Sequence, residues 1–135
     1  MDATPDFRFV PIVLGTERFD IFESLGQTIA KVFAAQKVPF LILISSDMNH
    51  YESDAITRVK DEHAIARVLA LDPRGLYDTV RAEGITMCGF AATVAMLVAV
   101  RDLGASEAKL VRYATSGDIN GDRERVVGYA GIVIC

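Results

Sequence analysis

At 135 residues, 51% of them hydrophobic, the chain can bury roughly two-thirds of its unfolded surface, so one core and a single domain over residues 1–135 are expected. The net charge of −4, with Lys and Arg scattered among Asp and Glu, provides no basic stripe for a phosphate backbone and excludes nucleic acid as a partner. Two cysteines, Cys88 and Cys135, form neither a disulfide framework nor a CxxC zinc module and point to a reducing cytoplasm.

The start of the chain, Met1 to Asp6, is acidic where a signal peptide needs positive charge, and no apolar segment of the signal type follows. Secretion is therefore not expected. Phe7 to Leu14 is apolar and rich in β-branched residues, with Gly15 at its end, and reads as a strand; Pro11 within it suggests an edge or an irregularity. From Phe19 to Lys37, Phe22, Leu25, Ile29, Val32 and Phe33 recur at helical spacing, and Pro39 stands just beyond. Val38 to Ser45 is the next strand, completing a strand-helix-strand unit with parallel strands and a right-handed crossover.

Glu52 to Leu71 reads as helical, with a break near Val59-Lys60-Asp61, and Asp72-Pro73 starts a further helix through Val80. The longest apolar run, Met87 to Val100, is interrupted by Gly89 and Thr93. It falls short of the ~20 residues needed to span a bilayer and reads as a buried helix, closed by Gly104. Lys109 to Ala114 and Val126 to Ile134 are predicted strands, joined by a hairpin loop at Ser116 to Asp122. That loop superficially suggests an EF-hand, but its glycine falls one position early and no helix pair surrounds it, so a plain turn is the better reading. The fold class is α/β: a strand-helix-strand unit, then helices, then a C-terminal antiparallel hairpin.

Chemistry concentrates in Ser45-Ser46-Asp47-Met48-Asn49-His50-Tyr51, directly after the apolar Phe40 to Ile44. A strand that ends in hydroxyls, a carboxylate and an imidazole delivers polar groups to the end of a sheet where α/β proteins place ligands. Asp47 and His50, three apart, converge if the backbone turns there, and then either ligate a metal or act as an acid-base pair. The bland alternative is that Ser46 or Asp47 caps the next helix and His50 packs at its start. Cys88 precedes the apolar helix, whose first-turn amides favour a thiolate; alternatively it is a small buried hydrophobe. His63 lies in a charged stretch that reads as a solvated helix face. Cys135 ends a strand.

The strings S-S-D-M-N-H-Y at Ser45–Tyr51, L-D-P-R-G-L-Y at Leu71–Tyr77 and T-M-C-G at Thr86–Gly89 resemble the MEMO family. The segments Tyr113–Asp118 and Val127–Gly131 resemble that family's closing hairpin. The family is similar in fold to the class III extradiol dioxygenases, the LigB-like group.

The resemblance implies a pocket holding a metal, iron with copper or zinc as alternatives, through histidines and a cysteine. Cys88 matches the cysteine ligand, and Asp47 and His50 match the pocket pair of the S-S-D-x-x-H motif; in the dioxygenases such a histidine is the acid-base catalyst. An open coordination sphere of this kind suits a small-molecule substrate together with dioxygen. The family's chain is about twice as long, and its H-A-G-Y-like and G-P-x-H-H-like histidine motifs are absent here, so the resemblance is to one half of a LigB/MEMO-like fold, the C-terminal one. It implies a site completed by a separate N-terminal-half protein, with little or no metal in the chain alone. The alternatives are a non-catalytic binding or scaffold protein, associating with itself as a homo-oligomer or with another chain, and a metal-free Cys88 nucleophile paired with His50.

Overall fold

The protein's structure, a computed structural model, describes residues 8–135, so Phe7 of the expected first strand and the acidic start Met1–Asp6 lie outside the described residues. Helices α1 (Phe19–Ala34), α2 (Asp54–Leu69), α3 (Pro73–Glu83) and α4 (Phe90–Asp102) are followed by strand β2 (Ala108–Thr115), the one-turn helix α5 (Gly117–Asn120) and strand β3 (Val126–Ile134). A short strand β1 (His50–Glu52) precedes α2. The α/β class holds.

The most apolar helix is also the most enclosed. Every residue of α4 from Thr93 to Ala99 is buried, as expected of a helix that is hydrophobic on all sides. Helix α1 packs along it through Phe22, Gly26 and Ala30, one residue per turn on one face. Gly26 sets this close approach, since a β-carbon there would stand 2.7 Å from Val98 Cβ. Phe22 and Phe90 meet edge to face with ring centroids 5.8 Å apart, and Leu76 and Val80 of α3 close the other side.

Helix α2 runs without the break expected near Val59-Lys60-Asp61. Its inward residues Thr57, Asp61, Ala64, Ile65 and Val68 keep helical spacing straight through that point. Its cap is Ser53, whose hydroxyl accepts from the Ile56 N–H, so Ser46 and Asp47 are free of the capping role considered for them. Helix α3 begins as expected, with Asp72 capping Gly75 N–H and Pro73 in the first turn, and ends at Gly84 in the left-handed conformation.

The sheet is antiparallel, in the order β1-β3-β2. Strands β2 and β3 form the expected C-terminal hairpin, with Ala108 opposite Ile134 and Thr115 opposite Gly128. The connection expected as a plain turn carries α5. An ionic clamp holds this end of the sheet to α2: Arg58 bridges Asp54 and Asp118, Arg123 bridges the same two carboxylates, and the Thr115 hydroxyl donates to Asp54. These donors hold the Asp54 carboxyl down at about 2.

The strand-helix-strand unit differs from expectation in one respect. Its helix is α1, but among the described residues the flanking segments 8–14 and 38–45 join no strand ladder. Residues 41–46 keep a strand's alternation, with Ile42 and Ile44 against the core and Leu41 and Leu43 facing outward. Alternating hydrophobicity specifies an extended chain but not a neighbour to pair with. No helix among the described residues is long and apolar enough to cross a membrane.

Candidate metal centre

The extended segment 38–45 runs into a loop, Ser46 to Asn49, whose middle is anchored to the sheet. Met48 N–H donates to the Gly128 carbonyl at 2.9 Å, and Gly128 N–H returns a bond to the Asn49 carbonyl at 3.0 Å. The pairing register then shifts between His50 and Glu52, and Tyr51 takes φ of +63°, a left-handed conformation unusual for a bulky residue. Asp47 and His50 stand at the two ends of the segment that these bonds anchor. A carboxylate oxygen of Asp47 stands 3.7 Å from His50 Nε2.

Cys88 reaches the same volume from a loop 41 residues further along the chain. Its sulphur accepts the Asp47 N–H at 3.1 Å, while the next residue's amide, Gly89 N–H, donates to Ser46 Oγ at 2.8 Å. The two loops lie so close that a β-carbon on Gly89 would stand 2.5 Å from Ser46 Cβ and 2.6 Å from the Ser45 carbonyl oxygen. One donor atom from each of Asp47, His50 and Cys88 therefore lies within 4.8 Å of the others. The thiol is exposed, so the reading of Cys88 as a buried hydrophobe does not hold.

The imidazole is oriented from behind. His50 Nδ1 lies 2.5 Å from the Thr86 carbonyl oxygen; since a carbonyl only accepts, Nδ1 is the donor in this contact and Nε2 is the ring nitrogen turned toward Asp47. Thr86 grips His50 again through its hydroxyl, which accepts His50 N–H at 2.8 Å and donates to Asn49 Oδ1. Asn49, wholly buried, ties the loops together: its Oδ1 also accepts Thr86 N–H, its amide group donates to Glu52 and Thr57, and its N–H donates to Asp61.

Asp61 sits beneath this arrangement, fully buried, accepting from Asn49 N–H at 2.8 Å and Tyr113 Oη at 2.6 Å. Burial raises its carboxyl above the usual range, and burial together with the neighbouring carboxylate pushes the Tyr113 phenol well above its own. Glu52 is held below its usual range by Lys60 and Asn49. Asn49 and Thr86 were present in the motifs, but nothing local marked them as the pair that positions His50. Their partners lie 37 residues apart in the chain. His63 is elsewhere, exposed and paired with Glu83, and Cys135 is exposed at the end of β3.

The donor set fits a transition metal. Donors sharing one ion at about 2.0–2.3 Å each stand roughly 3 to 4.5 Å apart, close to the spacing here, and the outward-facing ring nitrogen is fixed by a backbone carbonyl as metal-bound histidines usually are. A mixed α/β fold whose loops gather a carboxylate, an imidazole and a thiol at this spacing defines a protein with a candidate thiolate–imidazole–carboxylate metal centre. The model of the family described as "Memo-like protein" matches residues 1–133, and the chain belongs to that family.

The relatives carry the same family name. A MEMO1 family protein of Methanopyrus kandleri is 39% identical over 127 residues, covering 94% of this chain and 45% of its own length. One from Methanocaldococcus jannaschii is 39% identical over 128 residues (95% and 45%), and one from Saccharolobus solfataricus is 40% identical over 125 residues (92% and 44%). The chain thus spans slightly under half the length of the curated relatives it matches.

Proposed function

We propose that Asp47, His50 and Cys88 form one side of a metal centre of the non-haem iron type, whose remaining ligands come from outside the described residues, and that the completed centre serves a dioxygenase-like oxidoreductase. The observation that carries this reading is the orientation of His50. Its Nδ1 proton is committed to the Thr86 carbonyl, so Nε2 faces Asp47 across 3.7 Å, too long for a direct hydrogen bond and suited to a cation held between them.

A bound iron supplies Lewis acidity and redox chemistry, with copper or zinc as alternative occupants of the same donor set. The chain's own residues hold it: Cys88 through sulphur, His50 through Nε2 and Asp47 through a carboxylate oxygen. Asp47 is the more exposed of the carboxylate–imidazole pair, at 47% against 17%, so the centre opens to solvent on its side. Cobalt(II) is the direct probe, because a cysteine ligand gives a thiolate-to-metal charge-transfer absorption. The expected result is that band in the protein completed by the partner half, lost in Cys88→Ser and weakened in His50→Ala. A cobalt spectrum without thiolate character contradicts the reading.

A second reading, a non-catalytic association protein, draws on a different observation: the outward apolar residues on segments 8–14 and 38–45.

A further inference from the structure

We propose that Asp61 and Tyr113 are positioning residues for His50: the buried Asp61 carboxylate, seated by the Tyr113 hydroxyl, fixes Asn49, and through Asn49 and Thr86 it fixes which ring nitrogen His50 turns to the candidate centre. The inference rests on the metal reading only for what the ring is held for. How the ring is held follows from the hydrogen bonds.

The line of contacts is continuous. Tyr113 Oη on β2 donates to Asp61 Oδ2 on α2 at 2.6 Å, and Asp61 Oδ1 accepts Asn49 N–H at 2.8 Å. The Asn49 carbonyl accepts Gly128 N–H at 3.0 Å, so the backbone of Asn49 is held from both sides, by α2 and by β3. Gly128 also makes room for the carboxylate, since a β-carbon there would collide with Asp61. With its backbone fixed, Asn49 accepts the Thr86 N–H at 3.0 Å and the Thr86 hydroxyl at 3.1 Å through Oδ1, and the Thr86 carbonyl meets His50 Nδ1. Asp61 and Tyr113 thereby bear on a ring that lies beyond Asn49 and Thr86 in the network.

Asp61 is costly as a purely structural group. It is wholly buried, and among the described residues its carboxylate accepts from two donors, fewer than its two oxygens can take. Burial raises the carboxyl above its usual range, so at neutral pH the ionised form is less stable in the fold than in the unfolded chain. An apolar side chain would fill the space without that cost. It would also leave the Asn49 N–H without its acceptor and free the loop that carries His50.

The test is imidazole nitrogen NMR on the isotope-labelled full chain without added metal, at a pH above the imidazole titration, where two-bond proton–nitrogen correlations report which ring nitrogen carries the proton. The chain has two histidines, and the exposed His63 serves as the internal reference. His50 is expected in the Nδ1–H tautomer. Asp61→Ala is expected to raise its Nε2–H population several-fold and Tyr113→Phe to raise it less, while Asp61→Asn, whose side-chain oxygen still accepts Asn49 N–H, keeps the wild-type tautomer. Val68→Ala, buried in the same helix and outside the network, is expected to lower stability without moving the tautomer. Where Asp61→Ala does not fold, Tyr113→Phe decides. A wild-type tautomer in Tyr113→Phe and in folded Asp61→Ala overturns the proposal. So does an Nε2–H wild type, or a shift in Val68→Ala as large as that in Asp61→Ala. A tautomer shift in the network variants without a thiolate band in the cobalt(II) spectrum upholds the positioning and removes the metal reading; a thiolate band with an unmoved tautomer does the reverse.

Discussion

His50 owes its role to groups that never touch the candidate metal. The Thr86 carbonyl sets its tautomer, and Asn49 holds Thr86 in place with both the backbone and the hydroxyl of that residue. Removing the Asn49 side chain strands the Thr86 N–H and takes a partner from Glu52 and Thr57. Asn49→Ala is therefore expected to cost about 2–3 kcal/mol, read from urea unfolding. The buried carboxylates give opposite pH signatures. Asp54, held at about 2 by Arg58, Thr115 and Arg123, contributes stability that is fully present above the ordinary carboxylate range and is lost as pH falls from about 4 to 2. The stability gap between wild type and Asp54→Asn is expected to close over that interval. Asp61 is raised, so the folded state holds its proton to higher pH than the unfolded one, and its contribution falls as pH climbs from the ordinary carboxylate value through the raised one. Asp61→Asn should flatten the stability–pH curve in that window; an unchanged slope means that Asp61 is not the group titrating. Asp47, His50 and Cys88 were legible in the sequence because polar groups abutting apolar runs stand out. Asn49 and Thr86 were not, because their role exists only once two distant loops meet.

At the scale of elements, local chemistry announced what local chemistry controls. Asp72, Pro73 and Gly84 bounded α3, and the apolar run after Cys88 gave a helix buried on all sides. What needs a partner was less legible: β1 exists only because β3 pairs with it through an irregular register, and segments 8–14 and 38–45 have the pattern of strands without the ladder. The close contacts between elements can be tested at single glycines. Gly26→Ala pushes a methyl against Val98 and should separate α1 from α4, costing about 1–3 kcal/mol by thermal or urea unfolding. Gly89→Ala instead drives the start of α4 away from Ser45 and Ser46. Its expected signature is a loss of metal affinity of about tenfold or more, from displacement of Cys88 relative to Asp47. Equal metal affinity in Gly89→Ala and wild type would mean that the two loops do not need this contact to form the centre.

For the whole molecule, the outward apolar residues of segment 38–45 and the candidate donors are joined by the short path from Ile44 to Asp47. Length and composition predicted a chain able to fold around one core, and the helices do enclose one. They did not show that Leu41, Leu43 and Val13 stay exposed among the described residues, since a hydrophobic run reads alike whether or not both of its faces are covered. The relatives extend well beyond the matched region, and the proposed further ligands lie outside the residues described for this chain. Metal content per chain, measured by elemental analysis after iron(II) loading and desalting, tests this most directly. The chain alone should retain far less than one equivalent, and the complex with the complementary half should retain close to one, falling to background in Cys88→Ser. A full equivalent held tightly by the chain alone, or no uptake by an assembled complex, would contradict a centre shared between two halves.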